Sequence, residues 1–194
     1  AIKLYKTWLG ENTEDKRFTE ILIYCSSLVS SVDETLQLLL EYENFVVNEK
    51  KQVFYIRIAK TYQLIFQNYK AAEYYKKASR NADGSLNNEY YLKYLSISYQ
   101  LGEIPSMETV DTILLSNNDV LTYVKALIFK AELLKYEGEY NRAISILHQS
   151  EYRNSHPEIL YALWEIHLLD NNFSAADDIK NTLKQYFPHS IELG

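Results

Sequence analysis

The sequence predicts an all-α protein, an α-solenoid of about five antiparallel helical hairpins. Three observations carry that expectation. Apolar residues recur at spacings of three and four along nearly the whole chain, the period of an amphipathic helix face, while strand-like alternation is hard to find. Only five Gly and three Pro occur in 194 residues, so few positions interrupt a helix. Candidate packing residues also return at a near-constant interval, since Ala59, Ser96, Ala131 and Trp164 stand 37, 35 and 33 residues apart.

The elements follow in order. A short opening helix over residues 2–9 is closed by Gly10, because glycine accepts the left-handed backbone that ends many helices. A first long helix over 14–30 buries Phe18, Ile21, Leu22 and Cys25. Ser31 with Glu34 has capping-box spacing and starts the next helix, which runs through the apolar stretch LQLLLEY. Helix pairs follow over 51–67 with 68–80, 86–101 with 105–115, 119–136 with 140–150, and 157–169 with 173–187. Their turns fall at Asn81-Ala82-Asp83-Gly84, Gly102, Gly138 and Asp170-Asn171-Asn172. Ser155 and Glu158 repeat the capping-box spacing, with Pro157 in the first turn, where its missing N–H costs little. One domain, 1–194, is expected, with a divergent first hairpin at 13–49 and repeats at 51–83, 86–116, 119–151 and 155–188.

Composition narrows the function classes. A net charge of −6 with no long Lys/Arg block argues against a nucleic-acid backbone as ligand. No apolar run approaches the roughly 20 residues of a membrane helix, so no direct membrane insertion is expected. The single Cys25 lies on an apolar stripe and reads as a buried structural thiol, and one cysteine decides no redox compartment. His148, His156, His167 and His189 are scattered and show no metal-ligand spacing, so no metal and no cofactor is expected. Asp177-Asp178 and Glu14-Asp15 lie near helix starts, where the helix dipole favours carboxylates without any catalytic role. No Gly-rich phosphate loop, GxSxG elbow or kinase-type signature appears, so no enzyme and no catalytic residue is expected. The 18 tyrosines are the one compositional excess and suit both helix seams and a binding face.

Tyr55-x2-Ile58-Ala59-x2-Tyr62, followed by Ala71-x3-Tyr75-x2-Ala78, resembles the tetratricopeptide repeat, in which small residues let two helices approach and large ones fill the gap to the next hairpin. Leu127-x2-Lys130-Ala131-x2-Leu134 with Gly138, Tyr140, Ala143 and Leu147 is a second copy, departing at Lys130. Leu160-x2-Leu163-Trp164-x2-His167 with Ala176, Leu183 and Pro188 is a third, with Trp164 in place of a small residue and Lys180 in place of an aromatic. Leu92-x2-Leu95-Ser96-x2-Tyr99 is a divergent copy whose second helix lacks the alanines.

The resemblance implies a protein that holds other proteins. In that family the first helices of successive repeats line a concave groove that receives a peptide or helix. Here the groove residues implied are Ile56, Lys60 and Gln63, then Tyr90, Lys93 and Ile97, then Lys125, Ile128 and Glu132, then Tyr161, Glu165 and Leu168. The face is mixed in charge, and Ile56 with Lys60 does not reproduce the carboxylate clamp of chaperone-tail binders. The expected function is a non-enzymatic scaffold or adaptor, in a bacterial cell envelope with the cytoplasm as alternative. A regulatory or substrate-binding module of a larger protein, or a secretion-type chaperone, is the competing expectation. Self-association or capping is expected through the C-terminal hairpin, where Ile179, Leu183, Tyr186 and Phe187 precede the end His189-Ser190-Ile191-Glu192-Leu193-Gly194.

Overall fold

The computed structural model describes residues 2–116 and 119–188. The expected end segment 189–194 lies outside them. Eleven α-helices and no strand occur among the described residues. The chain divides into two compact units, Ala1–Glu103 and Ile104–Gly194. The boundary falls inside the span 86–116 that the sequence presents as one repeat.

Unit 1 holds α1 (Ile2–Glu11), α2 (Phe18–Leu28), α3 (Val32–Glu41), α4 (Lys51–Leu64), α5 (Asn68–Ala78) and α6 (Asn88–Gln100). Two single 3-10 turns, Glu43–Phe45 and Asn48–Lys50, lead from α3 into α4. Each helix packs on the next, and α5 lies between α4 and α6. Gly10 does not end α1 but sits inside it, and the Asn12 side-chain amide caps the helix by donating to the Trp8 carbonyl at 2.8 Å. Helix α2 begins at Phe18 instead of residue 14, because Asp15 folds a local turn. Its carboxylate accepts the Arg17 backbone N–H at 2.8 Å, a competing geometry that short acidic side chains offer the chain before a helix. Ser31 caps α3 as expected, accepting from the Glu34 N–H at 3.4 Å.

The core of unit 1 forms around Phe18, Leu22, Cys25, Phe54, Ile58 and Tyr75, while Ile21 is only half-buried. Burial raises the Cys25 thiol pKa and keeps it protonated. Ala59, Ala71 and Ala78 are fully buried, so the three expected close-approach alanines are packing points.

Unit 2 holds α7 (Met107–Ser116), α8 (Val120–Tyr136), α9 (Tyr140–His148), α10 (Pro157–Leu169) and α11 (Phe173–Tyr186). Helix α8 packs against α7, α9 and α10, and α10 against α11. Asp119 caps α8 by accepting the Thr122 N–H at 2.8 Å. The capping box expected at Ser155 is not formed. His156 is the cap position, Pro157 is the first helical residue, and the Ser155 hydroxyl donates to the Tyr152 carbonyl at 3.1 Å within the preceding turn. Lys130, the departure from the repeat pattern, pairs with Asp111 on α7 at 2.5 Å. Along α11 and at its C-cap Phe187, Leu183 is buried, Ile179 and Phe187 pack onto the core, and Tyr186 is left exposed.

Candidate functional site

Four helices, α4, α6, α8 and α10, end in the same turn. The backbone N–H of Gln67 donates to Tyr62, of Glu103 to Ser98, of Glu139 to Leu134 and of Asn172 to His167, at 2.8–3.0 Å. Each is the six-to-one bond that closes a helix around one left-handed residue. Those residues are Phe66, Gly102, Gly138 and Asn171, all with positive φ. The acceptors Tyr62, Ser98, Leu134 and His167 stand 36, 36 and 33 residues apart, which fixes the register of the repeats from backbone geometry.

That register corrects one copy by a residue. Ala59 and Ala131 align with Leu95, not Ser96, and burial agrees: Ala59, Leu95 and Ala131 are all buried. The misalignment arose because α6 has no alanine to mark the close approach. Positions 56, 128 and 161 are then equivalent, as are 60, 132 and 165, and their partners in α6 are Leu92 and Ser96. Tyr90 and Lys93 therefore leave the expected face. Lys93 pairs with Glu89 at 3.4 Å and its ammonium lies 5.7 Å from the centre of the Tyr75 ring on α5. Ile97, also expected on the face, is buried in the core of unit 1.

In unit 2 the remaining residues come together. Ile128 and Glu132 of α8, one helical turn apart, face Tyr161 and Glu165 of α10 across a cleft of about 380 Å³. Glu158, Ala162 and Trp164 complete it. Lys125 lies on α8 one turn earlier, exposed and outside the cleft lining, and Leu168 is exposed further along α10. Lys135 spans the two helices, bonding Glu132 at 2.6 Å and Glu165 at 3.1 Å. Burial would lower the Lys135 pKa, but the two carboxylates outweigh it and hold the ammonium above the usual lysine range. The result is an apolar floor of Ile128, Ala162 and two aromatic side chains under a fixed acidic edge. Such a surface suits a partner side chain with an apolar body and a cationic or hydrogen-bonding tip.

Trp164 was legible only as a departure from the repeat. On α10 it follows Tyr161 by three residues, so an indole on that face was the signal that the position contributes to the cleft. In unit 1, Ile56 is half-buried and Lys60 exposed on α4, and the Gln63 side chain accepts a hydrogen bond from the buried Tyr75 hydroxyl at 2.8 Å. A cleft of this unit lies elsewhere, between α5 and α6.

His167 is a core residue at 6% exposure, and its Nδ1 has no hydrogen-bond partner among the described residues. Its ring lies 6.1 Å from that of His148. Among the described residues no group of His, Cys, Asp and Glu could hold a metal ion, and no helix is long and apolar enough to cross a membrane.

No protein-family model and no curated protein matches the sequence. Among solved structures the chain is similar to YrrB, described as a TPR protein with an unusual peptide-binding site. The likeness covers 97% of this chain and 95% of that one, with a TM-score of 0.61 and 16% identity. The fold is that of a tetratricopeptide-repeat protein. Its recurring turn, buried alanines and 33–36-residue interval are the physical content of that statement.

Proposed function

We propose that this protein is a non-enzymatic interaction scaffold that receives a peptide or helix of a partner protein on the first-helix face of its repeats. One observation carries the reading: equivalent positions of two successive repeats, 128 with 161 and 132 with 165, converge on one cleft with two aromatic side chains. Aromatic anchors beside oriented charges are the composition of energetically dominant binding positions. The peptide-binding site ascribed to YrrB supports the same use of this fold, by analogy alone. Lys135 holds Glu132 and Glu165 in place before any partner arrives, which lowers the ordering cost of binding.

The test is affinity capture with the whole chain as bait, comparing wild type with Tyr161→Ala and Trp164→Ala. Both variants are expected to keep wild-type helicity and lose a discrete partner by about tenfold or more, the usual cost of truncating a central aromatic anchor. Undiminished capture by both would remove this cleft from the proposal. The partner recovered decides between an assembly factor of a cell envelope and a regulatory module of a larger protein.

A further inference from the structure

We propose that unit 1 carries a second, distinct docking site, the cleft between α5 and α6, and that its occupant is an acidic peptide segment with an apolar side chain at one end. The cleft measures about 680 Å³. It is built from the second helix of one repeat and the first helix of the next, so it uses none of the residues of the α8/α10 cleft.

Its two ends differ. Because α5 and α6 run in opposite directions, Tyr69 at the start of α5 sits with Leu101 after α6, and both are exposed. At the other end Lys76 and Arg80 flank Tyr94, with the Lys76 ammonium 5.0 Å from the ring centre. Neighbouring charges are already used: Lys77 pairs with Glu43 at 3.0 Å and Glu73 with Lys70 at 3.3 Å. Lys76 and Arg80 have no ion-pair partner among the described residues, in a chain whose net charge is −6. Cations without an ion-pair partner in an acidic protein attract an acidic ligand, and Glu103 at the opposite end repels it there, so charge sets the direction of binding.

The turn beside the apolar end gives independent support. Phe66 has φ 58°, in the left-handed region that a bulky residue disfavours, where the equivalent turns use Gly102, Gly138 and Asn171. Its ring is 87% exposed, so packing does not account for it. A strained residue with no folding return points to a role outside folding, and Phe66 stands in the turn two residues before α5 begins, three before the cleft residue Tyr69. From Tyr69 to Ala78 the helix rises about 14 Å, a distance that about four extended residues span.

The test uses the whole chain and a fluorescein-labelled peptide with Leu-Phe at one end, a Gly-Ser spacer, and a run of Glu at the other, read by fluorescence anisotropy. Saturable binding is expected. Lys76→Glu with Arg80→Glu should weaken it by about tenfold and Phe66→Asn by about threefold, as losses of rim charge and of a peripheral apolar contact. Tyr161→Ala should leave it unchanged, which separates this site from the α8/α10 cleft. No saturable binding by wild type would overturn the proposal. So would equal binding of a peptide with Gln in place of Glu, an unaffected charge-reversal variant of wild-type helicity, or capture by phosphatidylserine vesicles without binding of the peptide.

Discussion

The buried cluster of unit 1 contains Phe18, Phe54, Tyr62, Tyr74 and Tyr75, whereas that of unit 2 is made of Leu, Ile, Val and Ala alone. Twelve of the 18 tyrosines fall in residues 1–103. Rings fill space efficiently but bring hydroxyls that must be satisfied when buried. Unit 1 does this with Glu43, which accepts from Tyr74 at 2.8 Å, and with Gln63, which accepts from Tyr75 at 2.8 Å. Burial first, and the Glu43 carboxylate second, push the Tyr74 hydroxyl far above the normal tyrosine range, so it stays a donor. The Lys77 ammonium, 4.1 Å from the Tyr74 ring centre, completes the set by pairing with Glu43. Unit 2 avoids the problem with an aliphatic cluster of Leu, Ile, Val and Ala, and among the described residues the buried side-chain atom without a hydrogen-bond partner is Nδ1 of His167. The same repeat can therefore be stabilised by ring volume with polar tips tied down, or by aliphatic side chains with little polar to satisfy.

Trp8 lies in unit 1 and Trp164 in unit 2, so single-tryptophan variants read each unit by its own fluorescence. The largest effect is expected at Phe54, fully buried on α4. Phe54→Ala should cost about 3–5 kcal/mol in denaturant melts followed at Trp8. An equal shift at Trp164 would mean that the two units melt as one and that the contrast in cores has no separate consequence. Next come Ala71→Trp in unit 1 and Ala143→Trp in unit 2, each expected to cost about 1–3 kcal/mol by forcing a ring into a close helix crossing. Unchanged midpoints for both would show that these alanines are not the packing points.

Acid should separate the units further, because every described histidine lies in unit 2. Burial lowers the pKa of His167, with Asp170 opposing weakly, and burial, then Arg153 and His167, lower that of His148. Both groups start from an ordinary value of 6.5. The unfolded chain thus takes up the protons first, so stability present above that pH declines as pH falls below it toward the folded-state values. Melts at Trp164 should show the decline, and His148→Gln with His167→Leu should flatten it. A decline of the same size at Trp8 would count against this assignment. The smallest effect is a gain: Phe66→Asn relieves a left-handed phenylalanine and should raise stability by about 1 kcal/mol, measured at Trp8. A loss instead would mean that the exposed ring packs in the folded state.

Much of this was legible in the chain. Helix existence followed from apolar periodicity and the scarcity of breakers, and turns such as Gly138 and Asn171 were readable because few residues tolerate positive φ. The turn at Phe66 was not, since nothing in a phenylalanine marks left-handed backbone. Boundaries failed where a side chain had two local options, as at Asp15 and Ser155. Of the C-terminal apolar residues Ile179, Leu183, Tyr186 and Phe187, Leu183 is buried, as its place in the repeat pattern implies, and Tyr186 is exposed.

Of the candidate surface, the sequence by itself determined the pairs Ile128 with Glu132 and Tyr161 with Glu165, because residues four apart on a helix must share a face. Only tertiary structure decided that the two pairs meet across one cleft, that Trp164 lines it, and that Tyr90 and Lys93 stand elsewhere. The reason is the range of the forces involved. Periodicity records which face of each helix is apolar, a local property, whereas register between helices is set by how side chains of different sizes interlock. Where α6 puts Leu95 in the place of an alanine, the string of letters carries no mark of that interlocking.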